Sequence, residues 1–290
     1  MMKPTVVFQT DFGAGGGGAM AGVVKSIDPE VPVYDFDHDI EPFNVRAAAY
    51  DLSTVVPFWP VGTVFVSVVD PGVGTDRTSC VARLNSGSYV VTPDNGTLTM
   101  IAGEIAEVRR IDERTNRLPG SENVFIFHGR DIYAYTAGRL AAGVISFEEV
   151  GPSYPTGKVV RLPLTNVVPM VEKGHAKGGI YHFEVSYGCA RINISAEDFR
   201  TVGGFDYGDI LEITIRDGQR VVYAGEGQYV RTFAEAEDGM PIVLGDIQPG
   251  SRQKLRFTIN YQNFIRRYAP ELIGHIERAV DYVFDVRRKS

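Results

Sequence analysis

The chain has 290 residues, 44% of them hydrophobic and 22% charged, with a formal net charge of −7. This is the composition of a soluble globular protein with one large or two ordinary domains, and it excludes a disordered or collagen-like chain. Two cysteines, Cys80 and Cys189, exclude a disulfide framework or a cysteine-rich zinc site, and the acidic balance argues against a nucleic-acid partner.

The opening MMKPTVVF has no signal-peptide pattern, and its apolar run is too short to span a bilayer, so the expected location is cytoplasmic, with no membrane partner. Val6 to Gln9 predicts a short strand, Ala19 to Ile27 a helix ending near Pro29, and Val33 to Asp37 a second strand. Asn44 to Val56 has helical spacing through Ala47, Ala48, Leu52 and Val55. Thr63 to Val69 is nearly all apolar and β-branched, as a buried parallel strand requires. Tyr89 to Thr92 predicts another strand, closed by the turn Pro93-Asp94-Asn95-Gly96, and Asp131 to Ala142 a helix. Alternation of this kind predicts a layered α/β domain with a mostly parallel sheet over residues 1–160.

The texture then changes. Gly151-Pro152, Pro155, Pro163 and Pro169 mark a linker. Short alternating segments follow at Gly179–Val185, Asp209–Ile215, Gln219–Ala224, Ile242–Gly245 and Leu255–Asn260, separated by Gly and Asp turns. They predict a smaller all-β, barrel-like domain over residues 170–290. Phe264 to Val286, carrying Ile265, Tyr268, Leu272, Ile276, Val280 and Val283, predicts a terminal helix with Pro270 near its start.

Several motifs have more than one reading. Gly13 to Gly18 fits G-x-G-x-x-G, follows a strand, opens a helix, and has Asp35 and Asp37 near the offset of a ribose-binding acid. It is either a dinucleotide loop, which would make the protein an oxidoreductase, or a flexible loop holding no phosphate. Asp11 ends the first strand, where open α/β sheets place their ligands; it grips a vicinal diol or caps a turn. In Val69-Asp70-Pro71-Gly72-Val73-Gly74-Thr75-Asp76-Arg77 the Pro/Gly turn lets Arg77 return to Asp70, either as a structural ion pair or as part of a site. His128, after apolar residues and before a helix, is a capping group or a partner of that pair. Together Asp70, Arg77 and His128 are a set able to hold a water for attack. Metal readings are poor, since there is no H-E-x-x-H or Cys/His quartet, and no carboxylate stands at ligand spacing from His175 or His182. There is no G-x-S-x-G serine signature, and Cys189 has no base beside it in sequence.

Taken in order, Thr10-Asp11-Phe12-Gly13, Asp37-His38-Asp39-Ile40, Phe58-Trp59-Pro60-Val61-Gly62-Thr63-Val64, Val69 to Gly74, Pro93 to Gly96 and Phe127-His128-Gly129-Arg130-Asp131 resemble the S-adenosyl-L-methionine hydroxide adenosyltransferases, relatives of the fluorinase and chlorinase enzymes. The resemblance covers roughly residues 4–155 most strongly. It implies a hydrolase that converts S-adenosylmethionine and water to adenosine and L-methionine by attack at ribose C5′, with no cofactor. It implies that Asp70, Arg77 and His128 hold the water, that Asp11 grips the ribose hydroxyls, and that Phe43 and Asn95 bind substrate. Ser251 and Arg252 are implied to hold the methionine end. It also implies a homotrimer with sites at subunit interfaces. The halogenating relatives lack the full Asp-Arg-His set, so its presence here favours water over halide. Two positions depart from the family pattern: the glycine run replaces a ligand-contacting acid, and Cys189 stands where the family has an adenine-reading asparagine. The departures motivate an alternative, a non-catalytic protein that binds adenosine or S-adenosylmethionine.

Overall fold

β1 (Val6–Thr10) has no exposed side: Val6 and Phe8 enter one apolar cluster and Val7 enters another. A strand buried on both faces requires a sheet covered by helices on both sides. The computed structural model, which describes residues 3–13, 15–246, 253–275 and 280–289, has that arrangement. After β1 come α1 (Gly17–Ile27), β2 (Val33–Asp37), α2 (Val45–Val55), β3 (Val64–Val68), β4 (Ser79–Leu84), β5 (Tyr89–Pro93), β6 (Ile105–Arg110), α3 (Tyr135–Ala141) and β7 (Ser153–Tyr154). The sheet order is β2-β1-β3-β5-β4-β6-β7. β2, β1, β3 and β5 run parallel, whereas β4, β6 and β7 pair antiparallel, so the parallel character stops at β5. α1 and α3 cover one face through Met20, Val24, Ala137 and Ala141; Leu52 and Val56 belong to the cluster on the other.

The chain divides into two compact units between Leu162 and Pro163. The second unit contains β8 (Met170–Glu172), β9 (His175–Glu184), β10 (Cys189–Ser195), α4 (Ala196–Thr201), β11 (Ile210–Asp217), β12 (Arg220–Tyr229), β13 (Pro241–Gly245), β14 (Lys254–Ile259), α5 (Phe264–Tyr268) and β15 (Tyr282–Arg288). The order is β10-β14-β13-β12-β11-β15-β9-β8, and β9 also pairs with β10. That extra pairing closes a seven-stranded barrel, with β8 appended to β9. β9 serves two neighbours by bending at Gly178-Gly179: its first half pairs with β15 and its second with β10. A Cβ at Gly179 would lie 2.0 Å from Thr165 Oγ1, so the corner needs glycine. Alternate residues such as Leu211, Ile213 and Ile215 fill one core with Phe257, Phe284 and Val286. Each such side chain contributes about 1.5–3 kcal/mol on full burial.

The long terminal helix predicted over 264–286 is a correction. The α-helix is Phe264–Tyr268 only, a short 3₁₀ turn covers Pro270–Leu272, and residues Tyr282–Arg288 form β15. Pro270 has no N–H to continue the ladder, and Tyr282, Phe284 and Val286 alternate inward with period two. No helix among the described residues is long and apolar enough to cross a membrane.

Candidate active site

The first connection carries the chain from β1 to β2 on one side, and the next carries it to β3 on the other. β1 and β3 therefore flank the topological switch point, where a crevice opens beyond the strand ends. Thr10 and Val68 are paired there, so Asp11 and Asp70 leave the sheet from adjacent strands. Both line a cavity of about 280 Å³, with Phe12, Phe43, Phe127 and His128. Gly129 faces Phe12, and a Cβ there would lie 2.8 Å from its ring, so a bare backbone lets Phe12 close over this wall.

Asp70 and Arg77 meet because the intervening loop doubles back: Val73 N donates to Asp70 O (3.2 Å), Thr75 N to Gly72 O (3.0 Å), and Gly74 takes φ +79°. Arg77 Nε donates to both Asp70 oxygens at 2.9 Å, and Arg77 Nη2 donates to Asp70 Oδ2 at 2.6 Å. The same Nη2 lies 2.9 Å from His128 Nδ1. His128 enters from the turn of π-helix Gly129–Ala134 that precedes α3, a distortion frequent at functional sites. Since a guanidinium only donates, His128 Nδ1 is the acceptor and the neutral ring carries its proton on Nε2. Burial, and next the charge of Arg77, hold the His128 pKa below the usual histidine range. His128 Nε2 is itself buried and has no hydrogen-bond partner among the described residues. Burial is the largest influence on Arg77 and opposes its charge, but the Asp70 hydrogen bonds together with the nearby Tyr133, Asp70 and Glu113 outweigh it and leave the pKa raised.

Around this cluster lies a shell that the sequence did not reveal. Arg77 Nη1 donates to Ser79 Oγ (3.0 Å), which donates to Glu113 Oε1 (2.7 Å) and lies 3.2 Å from Tyr133 Oη. Tyr133 Oη also reaches Asp70 Oδ2 at 3.4 Å.

Of the other predicted residues, Asp11 Oδ2 accepts the backbone N–H of Phe43 at 2.9 Å. Phe43 sits at φ 68°, a left-handed conformation strained for this residue type and typical of ligand clamps. Asn95 is held elsewhere: its Nδ2 donates to Val69 O (2.8 Å) and its Oδ1 accepts from Thr97 Oγ1 (2.9 Å), so it secures the end of β3 and does not line the cavity. Ser251 and Arg252 lie outside the described residues. The glycine run packs against the end of β2: Asp35 Oδ1 pairs with His38 Nε2 (3.0 Å), and a Cβ at Gly17 would lie 2.3 Å from His38 Nε2 and 2.7 Å from Asp35 Oδ1. His175 lies between Glu172 and Asp285, at 3.0 and 3.1 Å, two carboxylates that spacing did not reveal. Among the described residues no group of three or more His, Cys, Asp or Glu side chains is arranged to hold a metal.

The barrel carries a second, larger cavity of about 800 Å³, lined by Tyr187, Cys189, Arg191, Arg256 and Asn260 among others. Cys189 is buried there, with Sγ 3.8 Å from Tyr187 O, and Cys80 is buried in the α/β unit. Burial pushes both thiols up in pKa. The native protein is therefore expected to resist iodoacetamide, with both cysteines alkylated only after denaturation; mass spectrometry reads the outcome, and fast native labelling at Cys189 would contradict its burial.

A crevice at the switch point of an α/β sheet, lined by a buried Asp-Arg-His cluster, and a separate closed barrel with its own cavity define a protein of two compact units, one α/β and one β-barrel, with the crevice where open α/β sheets place ligands. Residues 6–151 match the SAM hydroxide adenosyltransferase N-terminal domain, and the chain belongs to that family. An (R)-S-adenosyl-L-methionine hydrolase from Thermus thermophilus is 39% identical over 253 residues, 83% of this chain and 87% of that protein. Another of that name, from Salinispora tropica, is 39% identical over 169 residues, 57% of this chain; the match spans 64% of the relative, less than two thirds of its length. A crystal structure of an uncharacterized conserved protein from Thermotoga maritima superposes with a TM-score of 0.76 at 29% identity, covering 97% of this chain and 99% of that one.

Proposed function

We propose that the chain hydrolyses S-adenosyl-L-methionine to adenosine and L-methionine, by water attack at ribose C5′. The observation that carries this reading is the joining of Asp70, Arg77 and His128 beside a cavity that Asp11 also lines. Relatives named as hydrolases of this substrate support it. The departing thioether is neutral and leaves well without a protein nucleophile, so the enzyme has to hold and align a water and remove its proton. His128, neutral and with Nδ1 engaged by Arg77, offers Nε2–H as a donor to the water oxygen. It has no free lone pair with which to act as base. Asp70, the cavity carboxylate fixed by Arg77, accepts the proton. Asp11, with one oxygen tied to the Phe43 N–H, grips the ribose hydroxyls, and Ser251 and Arg252 hold the methionine carboxylate through hydroxyl and guanidinium. No cofactor or metal enters this chemistry. The working form is a cytoplasmic homotrimer with sites at its subunit interfaces, with neither nucleic acid nor membrane as partner.

Chromatography after incubation with S-adenosylmethionine tests the reading. Adenosine and methionine are expected in equal amounts, with the same products when chloride is added. Cys189, in the place of an amide that can both donate and accept, favours one other reading, binding without turnover. Ligand binding by calorimetry with no adenosine at high enzyme concentration would establish that reading and exclude the first.

A further inference from the structure

Hydrolysis of a sulfonium by water releases a proton. The C5′–O bond forms, the C5′–S bond breaks with its electron pair going to sulfur, and the attacking water must shed one H⁺. Asp70 has 5% of its side chain exposed, and the cavity it lines is small enough for a bound adenosyl group to fill. The proton needs another way out. On the far side of Arg77 lies a separate polar cavity of about 600 Å³, whose walls include Arg77, Ser79 and Glu113. The Glu113 side chain is 32% exposed, and Arg117 Nη2 orients its second oxygen at 3.3 Å.

Resting on the hydrolysis reading, we propose that Tyr133, Ser79 and Glu113 form a proton wire that carries the proton from Asp70 to this outer cavity. Its steps are Asp70 Oδ2 to Tyr133 Oη at 3.4 Å, Tyr133 Oη to Ser79 Oγ at 3.2 Å, and Ser79 Oγ to Glu113 Oε1 at 2.7 Å. Each hydroxyl is both donor and acceptor, as a relay needs. The Asp70 carboxyl passes its proton to Tyr133 Oη as Tyr133 passes its own to Ser79 and Ser79 passes its own to Glu113, which releases it to solvent. Asp70 ends as a carboxylate, both hydroxyls end protonated, and Glu113 is restored. Arg77 takes no part as a carrier, because a guanidinium does not give up its proton; its Nη1–H to Ser79 Oγ at 3.0 Å fixes the middle of the wire. Burial, and next the charge of Asp70, push the Tyr133 pKa well up, so it serves as a hydroxyl and not as a phenolate.

The test measures adenosine formation by the full chain and by Glu113→Gln, Ser79→Ala and Tyr133→Phe, in dilute buffer and with added imidazole, alongside thermal unfolding and substrate binding. Each variant is expected to lose about tenfold in kcat in dilute buffer with KM nearly unchanged. Imidazole, which the outer cavity can admit, is expected to restore Glu113→Gln and to leave Tyr133→Phe slow, because that break lies inside the protein. A merely structural role for Glu113 would not respond to buffer. A kcat for Glu113→Gln equal to that of the parent, or a loss that imidazole leaves untouched, overturns the wire. Should Glu113→Gln fail to fold, Ser79→Ala decides alone, since unchanged kcat there also overturns it. If the unaltered chain forms no adenosine, the hydrolysis reading fails and the wire with it; if that chain is active and only the variant results disagree, the wire alone fails.

Discussion

Arg77→Met is expected to lose nearly all adenosine formation and much of the stability of the α/β unit. The guanidinium touches Asp70, His128 and Ser79 at once, through contacts of 2.6 to 3.0 Å. Methionine fills the volume but leaves the Asp70 carboxylate buried without its guanidinium partner, with the long Tyr133 Oη contact at 3.4 Å remaining. Breaking one side of a buried pair costs about 3–5 kcal/mol, much of it the desolvation of the charge left behind. The rate is expected to fall by about 10²–10⁴-fold, the usual worth of a positioned acid–base group, because water, Asp70 and His128 lose their common frame. Arg77→Lys separates charge from geometry. A lysine keeps the charge but has no planar fork to reach Asp70 and His128 at once. It is therefore expected to recover much of the stability in urea unfolding and little of the activity in the product assay. A lysine variant with near-parental turnover would show that charge alone suffices and that the fork is dispensable.

The parts of this arrangement that the sequence discloses are those governed by local pattern. β1 and β3 are legible because an unbroken apolar run has few alternatives to a strand buried on both faces. The return of Arg77 to Asp70 is legible because seven residues with a Pro-Gly turn between them nearly dictate it. His128 is 51 residues from Arg77, and nothing local announces that they meet; its place before a helix leaves a capping group and a partner of the pair both open, and the ordered motifs of the family favour the second. Ser79, Glu113 and Tyr133 stayed hidden for the same reason, at separations of 34 and 54 residues from Ser79. β4 and β6 were not predicted: Ser79–Leu84 lacks clean alternation, and β6 carries Glu107, Arg109 and Arg110 toward the antiparallel half of the sheet. The turn at Asn95 was recognised, but its amide is spent on Val69 and Thr97, a use that residue type alone cannot distinguish from ligand binding. In β15 the period-two signal is present in the sequence: Tyr282, Phe284 and Val286 alternate, whereas the helical spacing drawn through Val280 and Val283 places Pro270 near the helix start and runs on through Gly274.

The largest pH effect should come from His128. Its proposed role requires the neutral ring, since a proton on Nδ1 would point at Arg77 Nη2, 2.9 Å away. Burial and Arg77 lower the pKa, with Arg117 acting in the same sense and Glu113 and Asp70 opposing. The acid limb of kcat/KM is therefore expected below about pH 6.5, the ordinary histidine value. The same group links stability to pH. The unfolded chain takes up the proton at higher pH than the folded one, so the contribution is complete above about pH 6.5 and is lost as pH falls through the lowered folded value. Two substitutions divide the roles of the ring. His128→Asn keeps an acceptor near the Nδ1 position for Arg77 but has nothing at Nε2, and is expected to fall by about 10²–10⁴-fold in rate. His128→Gln places an amide N–H near the Nε2 position and cannot titrate, so it is expected to keep more activity than His128→Asn and to lose the histidine limb of the profile. If His128→Gln retains the parental acid limb, the titrating group lies elsewhere. If His128→Asn is the more active of the two, holding Arg77 outweighs donating to the water, and Nε2 is not the atom that matters.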